Sequence, residues 1–372
     1  MGQVYEELVI AQVDVTRRCQ SAQKPGGSLV LVAYLVLLLC LMLASSRAMS
    51  DENVFSDINY RLGEGLRVAD TGLSLGGYAT AGYDDLRHSS SRAAIDNLSL
   101  FVWWQGEGRW KFFSELDYEN ERPNRSLDTD GQSHYLALER LYVDYALTDT
   151  TTIRTGKFLT PIGRWNLVHA TPLVWTSSRP LITTQLFPTN VTGLMLDGTL
   201  HTVVDGAEYA LYASKGDEFR PNPSLDTFNE VVGAHLSLPT PWAGQLGFSY
   251  AAFEQKKTLG ENKQLLGVDF TWSHNRYEVS SEGVYRFSDK GSSSDEKGAF
   301  VQLVAPLSER LYAVGRYEIY RKAQETASTR LWVAGLNYRI TPAIVAKAEW
   351  IGSRHNTIDA PEGFMSTVSI LF

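Results

Sequence analysis

A period of two, repeated over segments of nearly constant length, constrains this chain more than any other feature. In Trp110-Lys111-Phe112-Phe113-Ser114-Glu115-Leu116-Asp117-Tyr118 one parity reads Trp, Phe, Ser, Leu, Tyr and the other Lys, Phe, Glu, Asp. Arg276 to Phe287 and Leu311 to Tyr320 alternate in the same way. Successive side chains of a strand point to opposite faces, so such a segment carries one apolar and one polar face. Sixteen of them follow one another, near 72–83, 94–105, 109–119, 137–147, 151–158, 191–200, 206–214, 229–238, 243–254, 264–274, 275–287, 297–305, 309–320, 330–340, 343–353 and 363–372. Most have about nine to twelve residues, the length a tilted strand needs to cross a hydrocarbon layer.

The connections alternate too. Short ones follow every even segment, as in Gly106-Glu107-Gly108, Thr148-Asp149-Thr150, Thr202 to Asp205 and Thr341-Pro342. Long polar ones follow every odd segment, as in Asn120 to Leu136, Lys215 to Phe228 and Arg354 to Glu362. This predicts an all-β fold: a transmembrane antiparallel β-barrel of about 16 strands over residues 72–372, with short turns on the periplasmic side and long loops outside. A soluble sandwich has no reason to match strand lengths and alternate its turns, whereas lipid demands closure. Aromatics near the short turns (Trp104, Trp110, Trp242, Trp272, Tyr277, Tyr338) and near the opposite ends (Tyr83, Tyr118, Tyr285, Trp332, Trp350) predict two interfacial girdles.

The first 48 residues read as a leader and cleaved signal peptide. Leu29 to Leu43 is an apolar run of fifteen residues, preceded by Arg17, Arg18 and Lys24 and ending in Ala44-Ser45-Ser46-Arg47-Ala48. That is too short for a spanning helix and has the three-part layout of an export signal. Residues 49–71 then form a short periplasmic N-terminal segment before the barrel. Both cysteines, Cys19 and Cys40, lie in the leader, and the seven histidines are scattered, so neither a disulfide framework nor a metal site is expected. No cofactor is implied. With 34 basic against 42 acidic residues and no cationic cluster, the composition argues against nucleic acid as a partner. The remaining expected partners are outer-membrane lipid and small solutes.

A barrel of sixteen strands is too wide for its own side chains to fill. Inward positions on the parity assignment include Lys111, Glu115, Asp117, Arg140, Asp144, Arg310, Arg316, Arg339 and Lys347, together with Asp197, Glu278, Glu282, Glu318 and Glu349. The third external connection, Phe158 to Asn190, is far longer than an ordinary loop and rich in apolar side chains, including Trp165, Trp175 and Phe187. It is expected to fold into the lumen. From Thr150 to Leu196 there is no Asp or Glu, where 42 acids in 372 residues would place about five. The same window holds Arg154, Lys157, Arg164 and Arg179, with His169 beside them. These five residues are the candidate pore constriction, whose positive potential would favour anions. The competing reading is that these bases neutralise wall acids such as Glu115, Asp117 and Asp144.

Gly156-Lys157-Phe158-Leu159-Thr160-Pro161-Ile162-Gly163-Arg164-Trp165-Asn166, followed by Ser178-Arg179-Pro180-Leu181, resembles the motif that opens the inward loop in the phosphate-selective porin O and P family. The resemblance implies a sixteen-strand barrel, a homotrimer and passive diffusion of phosphate-like anions. The final segment, Phe364 to Phe372, alternates and ends in Phe, and resembles the C-terminal signal recognised by the barrel assembly machinery.

Two other functions compete with an anion pore. Trp165, Trp175, Phe187 and Arg164 could form a stacking and anion-clamping site in a channel specific for an organic carboxylate, aromatic acid or sugar. Gly72-Leu73-Ser74-Leu75-Gly76 matches the GxSxG of a hydrolase. A nucleophile elbow, however, needs a sharp strand-to-helix turn, and here an alternating strand continues. No enzyme is expected.

Overall fold

The computed structural model describes residues 58–68, 71–87, 89–106, 108–120, 134–168, 170–201, 206–220 and 226–372. The leader and its cleavage site, most of the loop from Asn120 to Leu136, the turn at 202–205 and His169 lie outside the described residues.

Sixteen strands form the wall: β3 (Leu73–Leu86), β4 (Arg92–Gln105), β5 (Trp110–Asn120), β6 (His134–Ala146), β7 (Thr151–Leu159), β8 (Asn190–Leu200), β9 (Ala207–Lys215), β10 (Phe228–Pro239), β11 (Gly244–Gln255), β12 (Lys263–His274), β13 (Tyr277–Ser288), β14 (Glu296–Pro306), β15 (Leu311–Arg321), β16 (Thr329–Thr341), β17 (Ile344–Arg354) and β18 (Gly363–Leu371). Each pairs antiparallel with its neighbour in sequence, and β18 pairs with β3 from Gly363↔Leu86 to Leu371↔Tyr78. The barrel is therefore closed. Phe372 and Gly77 exchange two backbone hydrogen bonds (2.8 and 2.9 Å) at the seam. Every strand matches one expected segment, with ends displaced by a few residues.

The N-terminal segment is more ordered than the sequence implies. Within 49–71, β1 (Ile58–Arg61) and β2 (Gly65–Val68) make a hairpin, and Leu66 to Val68 pair with Leu73 to Leu75 of β3. These β3 residues lie below the last residue of β18, so the hairpin covers an otherwise bare edge. Ser74 sits in an unbroken ladder opposite Arg67 and Trp103 and makes no strand-to-helix turn.

Connections after even-numbered strands stay short, down to the two residues Asn275 and Arg276. These take φ of 47° and 69°, the left-handed pair that matches strand twist in a hairpin. The outer face is apolar: Leu194, Val232, Leu266, Leu303 and Trp350 are all exposed there. Trp110, Trp242, Tyr277 and Tyr338 are exposed near the short-turn end, and Tyr83, Trp332 and Trp350 nearer the other. Among the described residues no helix is long and apolar enough to cross a membrane. The buried side chains lie instead between the inner wall and the connection from β7 to β8, which carries the one-turn helix α1 (Leu181–Gln185).

Candidate pore constriction

The β7–β8 connection enters the lumen and is fastened to its far wall. Two glycines let it begin. Gly156 (φ 129°) sits where a Cβ would meet the Leu141 carbonyl oxygen at 2.2 Å, and Gly163 (φ 65°) where a Cβ would meet Glu282 Oε2 at 2.3 Å. Thr160 then closes the base of the loop, its backbone N–H donating to the Thr189 carbonyl and its hydroxyl to that of Pro188.

Carboxylates of the odd strands hold the loop backbone. Glu282 Oε1 of β13 accepts the N–H groups of Arg164 (3.0 Å) and Trp165 (2.5 Å). Glu349 of β17 accepts Ser177 N–H on Oε2 (2.9 Å) and Ser178 N–H on Oε1 (2.7 Å). Glu318 of β15 accepts Leu181 N–H at 2.6 Å, and Glu278 accepts the indole N–H of Trp175 at 2.9 Å. Wall cations take the loop carbonyls. Arg316 donates to Ser178 O and Ser178 Oγ, and also pairs with Glu318 at 2.7 Å. Lys347 donates to the carbonyls of Thr171 and Thr176, and Arg286 to that of Leu186. Buried backbone groups need partners, and a loop without acids draws them from the wall. A carboxylate on this loop would face Glu278, Glu282, Glu318 or Glu349. The acid-free window therefore follows from the wall it packs on.

The four candidate constriction residues that are described have separate partners. Arg154 is clamped on both oxygens of Asp144 (2.7 and 2.8 Å) and lies over the Tyr142 ring at 3.8 Å. Lys157 is buried in a salt bridge to Glu218 (2.7 Å) beneath the β9–β10 connection. The Arg164 side chain donates to Gln245 Oε1 at 2.8 Å. Arg179 lies over the Trp165 ring at 4.9 Å, and its three guanidinium nitrogens are buried with no hydrogen-bond partner among the described residues. His169 is outside the described residues. The pairing with a wall acid thus describes Arg154, whereas Lys157 is neutralised by Glu218 of the β9–β10 connection and not by the wall.

Among the candidate lining residues, Glu115 pairs with Arg140 (2.7 Å) and accepts from Ser99, and Asp117 accepts from Asn97 at 2.7 Å. Lys111 is exposed, and Arg339 lies over the Trp175 ring at 4.5 Å. Arg310 requires a correction: β15 begins at Leu311, so Arg310 is an exposed turn residue whose guanidinium donates to the Ile340 carbonyl at 3.1 Å. Glu278, Glu282, Glu318 and Glu349 were legible as inward positions, but their role as loop anchors was not. The signal was present: three successive odd strands each carry an inward Glu.

Beneath the loop, toward the short turns, lies a cavity of about 460 Å³ lined by Arg164, Trp165, Trp175, Gln245, Glu278 and Glu282 among others. Its lining combines the two loop indoles of Trp165 and Trp175 with the indole of Trp272, one guanidinium and two carboxylates. A small solute there meets both stacking faces and charged groups.

No protein-family model matches the chain. Over 334 residues it is 23 % identical to an uncharacterized protein of Aquifex aeolicus (strain VF5), covering 75 % of each chain. The fold is similar to that of OmpF of Salmonella typhi, solved in complex with daunomycin (TM-score 0.59, 11 % identity, 85 % of this chain and 100 % of that one). It is also similar to an anion-selective porin from Comamonas acidovorans (TM-score 0.56, 11 % identity, 80 % and 98 %). OmpT, an outer-membrane protein of Vibrio cholerae, is a third (TM-score 0.56, 10 % identity, 81 % and 97 %). The architecture is that of the outer-membrane porins: a closed sixteen-strand barrel with an apolar exterior and a polar interior.

Proposed function

We propose that the chain is an outer-membrane porin, exported by its N-terminal signal, through which small anions diffuse passively. The observation that carries the anionic reading is Arg179. A guanidinium does not deprotonate, and a buried charge without a partner is strongly disfavoured. Held at the loop by the Trp165 face with its nitrogens buried, Arg179 acts on a passing anion through the field of its charge rather than by direct contact. Arg164, whose side chain donates to a neutral amide rather than a carboxylate, adds a second cation that lines the cavity. Phosphate-like solutes suit this positive potential, in line with the motif around Gly156 to Asn166. Assembly through the strand ending in Phe372 and association as a homotrimer belong to the same proposal; one of the similar OmpT structures is a trimer form. Catalysis has no place in it, because Ser74 is a ladder residue. The test is the reversal potential of single channels in a KCl gradient. Anion preference is expected, and a clear cation preference would overturn the reading.

A second reading draws on the cavity itself. Two indoles beside Arg164 favour a planar organic acid over an inorganic ion. Liposome swelling with phosphate, benzoate and neutral sugars separates the two: an organic-acid channel admits benzoate well ahead of a sugar of similar size.

A further inference from the structure

On the outer face of the barrel, strands β12 to β15 carry a groove of about 420 Å³. Register explains its shape. One cross-strand row reads Val268, Gly283, Ala299, Ile319, so two small residues form a floor between two branched ones. The next row toward the long loops reads Leu266, Tyr285, Lys297, Arg321. The apolar floor therefore runs up to two cations at the long-loop ends of β14 and β15. On the next two strands the floor's own row continues, with Arg330 of β16 opposite Ile319 and Arg354 of β17 opposite Arg330.

Like charges placed directly opposite each other destabilise a sheet. Here two such pairs, Lys297–Arg321 and Arg330–Arg354, stand within four adjacent strands, and none of the four makes an ion pair among the described residues. The nearby carboxylate Asp295 is occupied by the Tyr285 hydroxyl (2.9 Å) and the Ser288 N–H (3.0 Å). Exposed Trp332 and Trp350 lie just below the cations, at the level where indoles settle between hydrocarbon and water. An anionic headgroup layer at that level would supply a counter-charge.

We infer that this face binds a phosphorylated, multiply acylated glycolipid of the outer leaflet, its phosphates bridging Lys297, Arg321, Arg330 and Arg354 and one acyl chain lying in the groove over Gly283 and Ala299. The inference rests on the outer-membrane reading. It commits to a lipid because the groove and the cations are continuous, and a free phosphate would need only the cations. An acyl chain also supplies what Gly283 and Ala299 lack, contact along an apolar dent.

The experiment uses the full mature barrel, delipidated in detergent and titrated with bisphosphorylated lipid A, with binding read by native mass spectrometry. Wild type is expected to retain one lipid per groove. The K297Q/R321Q variant should bind about thirtyfold more weakly, since each cation near an anionic surface contributes about a fivefold factor. Gly283→Leu, which fills the floor, should weaken binding several-fold with all charges kept. A Cβ at Gly283 has its nearest neighbours at 3.7 Å, ordinary van der Waals contact, so the new side chain leaves the backbone without a clash, and the heat-induced gel shift of the variant checks that it folds. Dephosphorylated lipid A should bind like the charge variant. Equal binding by wild type and K297Q/R321Q, equal binding of dephosphorylated lipid, or saturation by inorganic phosphate alone would overturn the inference. Planar-bilayer conductance of the same preparations keeps the two readings apart. Conducting channels without lipid binding sink only the glycolipid site, and absence of conductance sinks the porin.

Discussion

Glu349 offers the sharpest perturbation of the inward loop. It is 3 % exposed and accepts two loop N–H groups, one on each oxygen. Replacing it with glutamine keeps the shape, keeps one acceptor and turns the other into a donor facing a donor. A hydrogen bond to a charged group contributes about 1.5–3 kcal/mol, and a buried donor left unsatisfied costs about 1–3 kcal/mol, so the variant should destabilise the seated loop by about 2–4 kcal/mol. At about 1.4 kcal/mol per factor of ten, the seated-to-released ratio falls at least about thirtyfold. The sixteen wall ladders are untouched, so the effect is local. Single-channel recordings in planar bilayers provide the assay. Wild type should hold one conductance level, and Glu349→Gln should flicker to a larger one as the loop leaves β17. A folded variant with the unitary conductance and noise of wild type would refute the claim that carboxylates of the wall hold the loop.

Other consequences are as direct. Arg179→Met removes a buried charge that has no hydrogen-bond partner among the described residues, so anion preference should fall in reversal-potential measurements while the heat-induced gel shift of the barrel stays or moves upward. Asp144→Asn removes the carboxylate charge that clamps Arg154, a loss of about 1.5–3 kcal/mol. That should lower the temperature of the gel shift and, in channels that still fold, raise anion preference. Gly163→Ala strains a left-handed backbone and presses on Glu282 Oε2, costing about 1–3 kcal/mol, and should reproduce the flicker of the Glu349 variant.

The wall was legible because a strand's two faces are written locally. Alternation within Trp110 to Tyr118 is enough to place β5, whereas the segment expected over 275–287 gives its first two residues, Asn275 and Arg276, to the turn. Ends are less legible, as Arg310 shows. It continues the alternation of β15 but belongs to the turn, because no local signal separates a strand's first residue from the last residue before it. The hairpin at Ile58 to Val68 was missed for another reason: its partner edge on β3 is exposed only because β18 stops short of it. The loop's fastenings were legible only as a row of inward glutamates, without the N–H groups they accept. Glu282, Glu318 and Glu349 lie 117, 137 and 171 residues from the N–H groups they accept. The acid-free window announced that some negative surface faces the loop, without saying which.

That window has two explanations, and one substitution separates them. If acids are absent to keep a path open for passing anions, a new carboxylate on the loop should change selectivity and leave the loop seated. If they are absent because the wall opposite is lined with glutamates, the same carboxylate should unseat the loop. Ser177 is the place to ask. Its N–H is bonded to Glu349 Oε2 and its hydroxyl lies 2.7 Å from that of Thr367. In Ser177→Asp two like charges would stand roughly 4 Å apart, a repulsion of about 4 kcal/mol at an effective dielectric constant of about 20. Ser177→Asn has nearly the same shape and none of that repulsion. The wall explanation expects Asp, and not Asn, to produce the large flickering conductance of a released loop. An Asp channel with a steady wild-type conductance and an altered reversal potential would instead assign the missing acids to selectivity and leave the glutamate wall a secondary role.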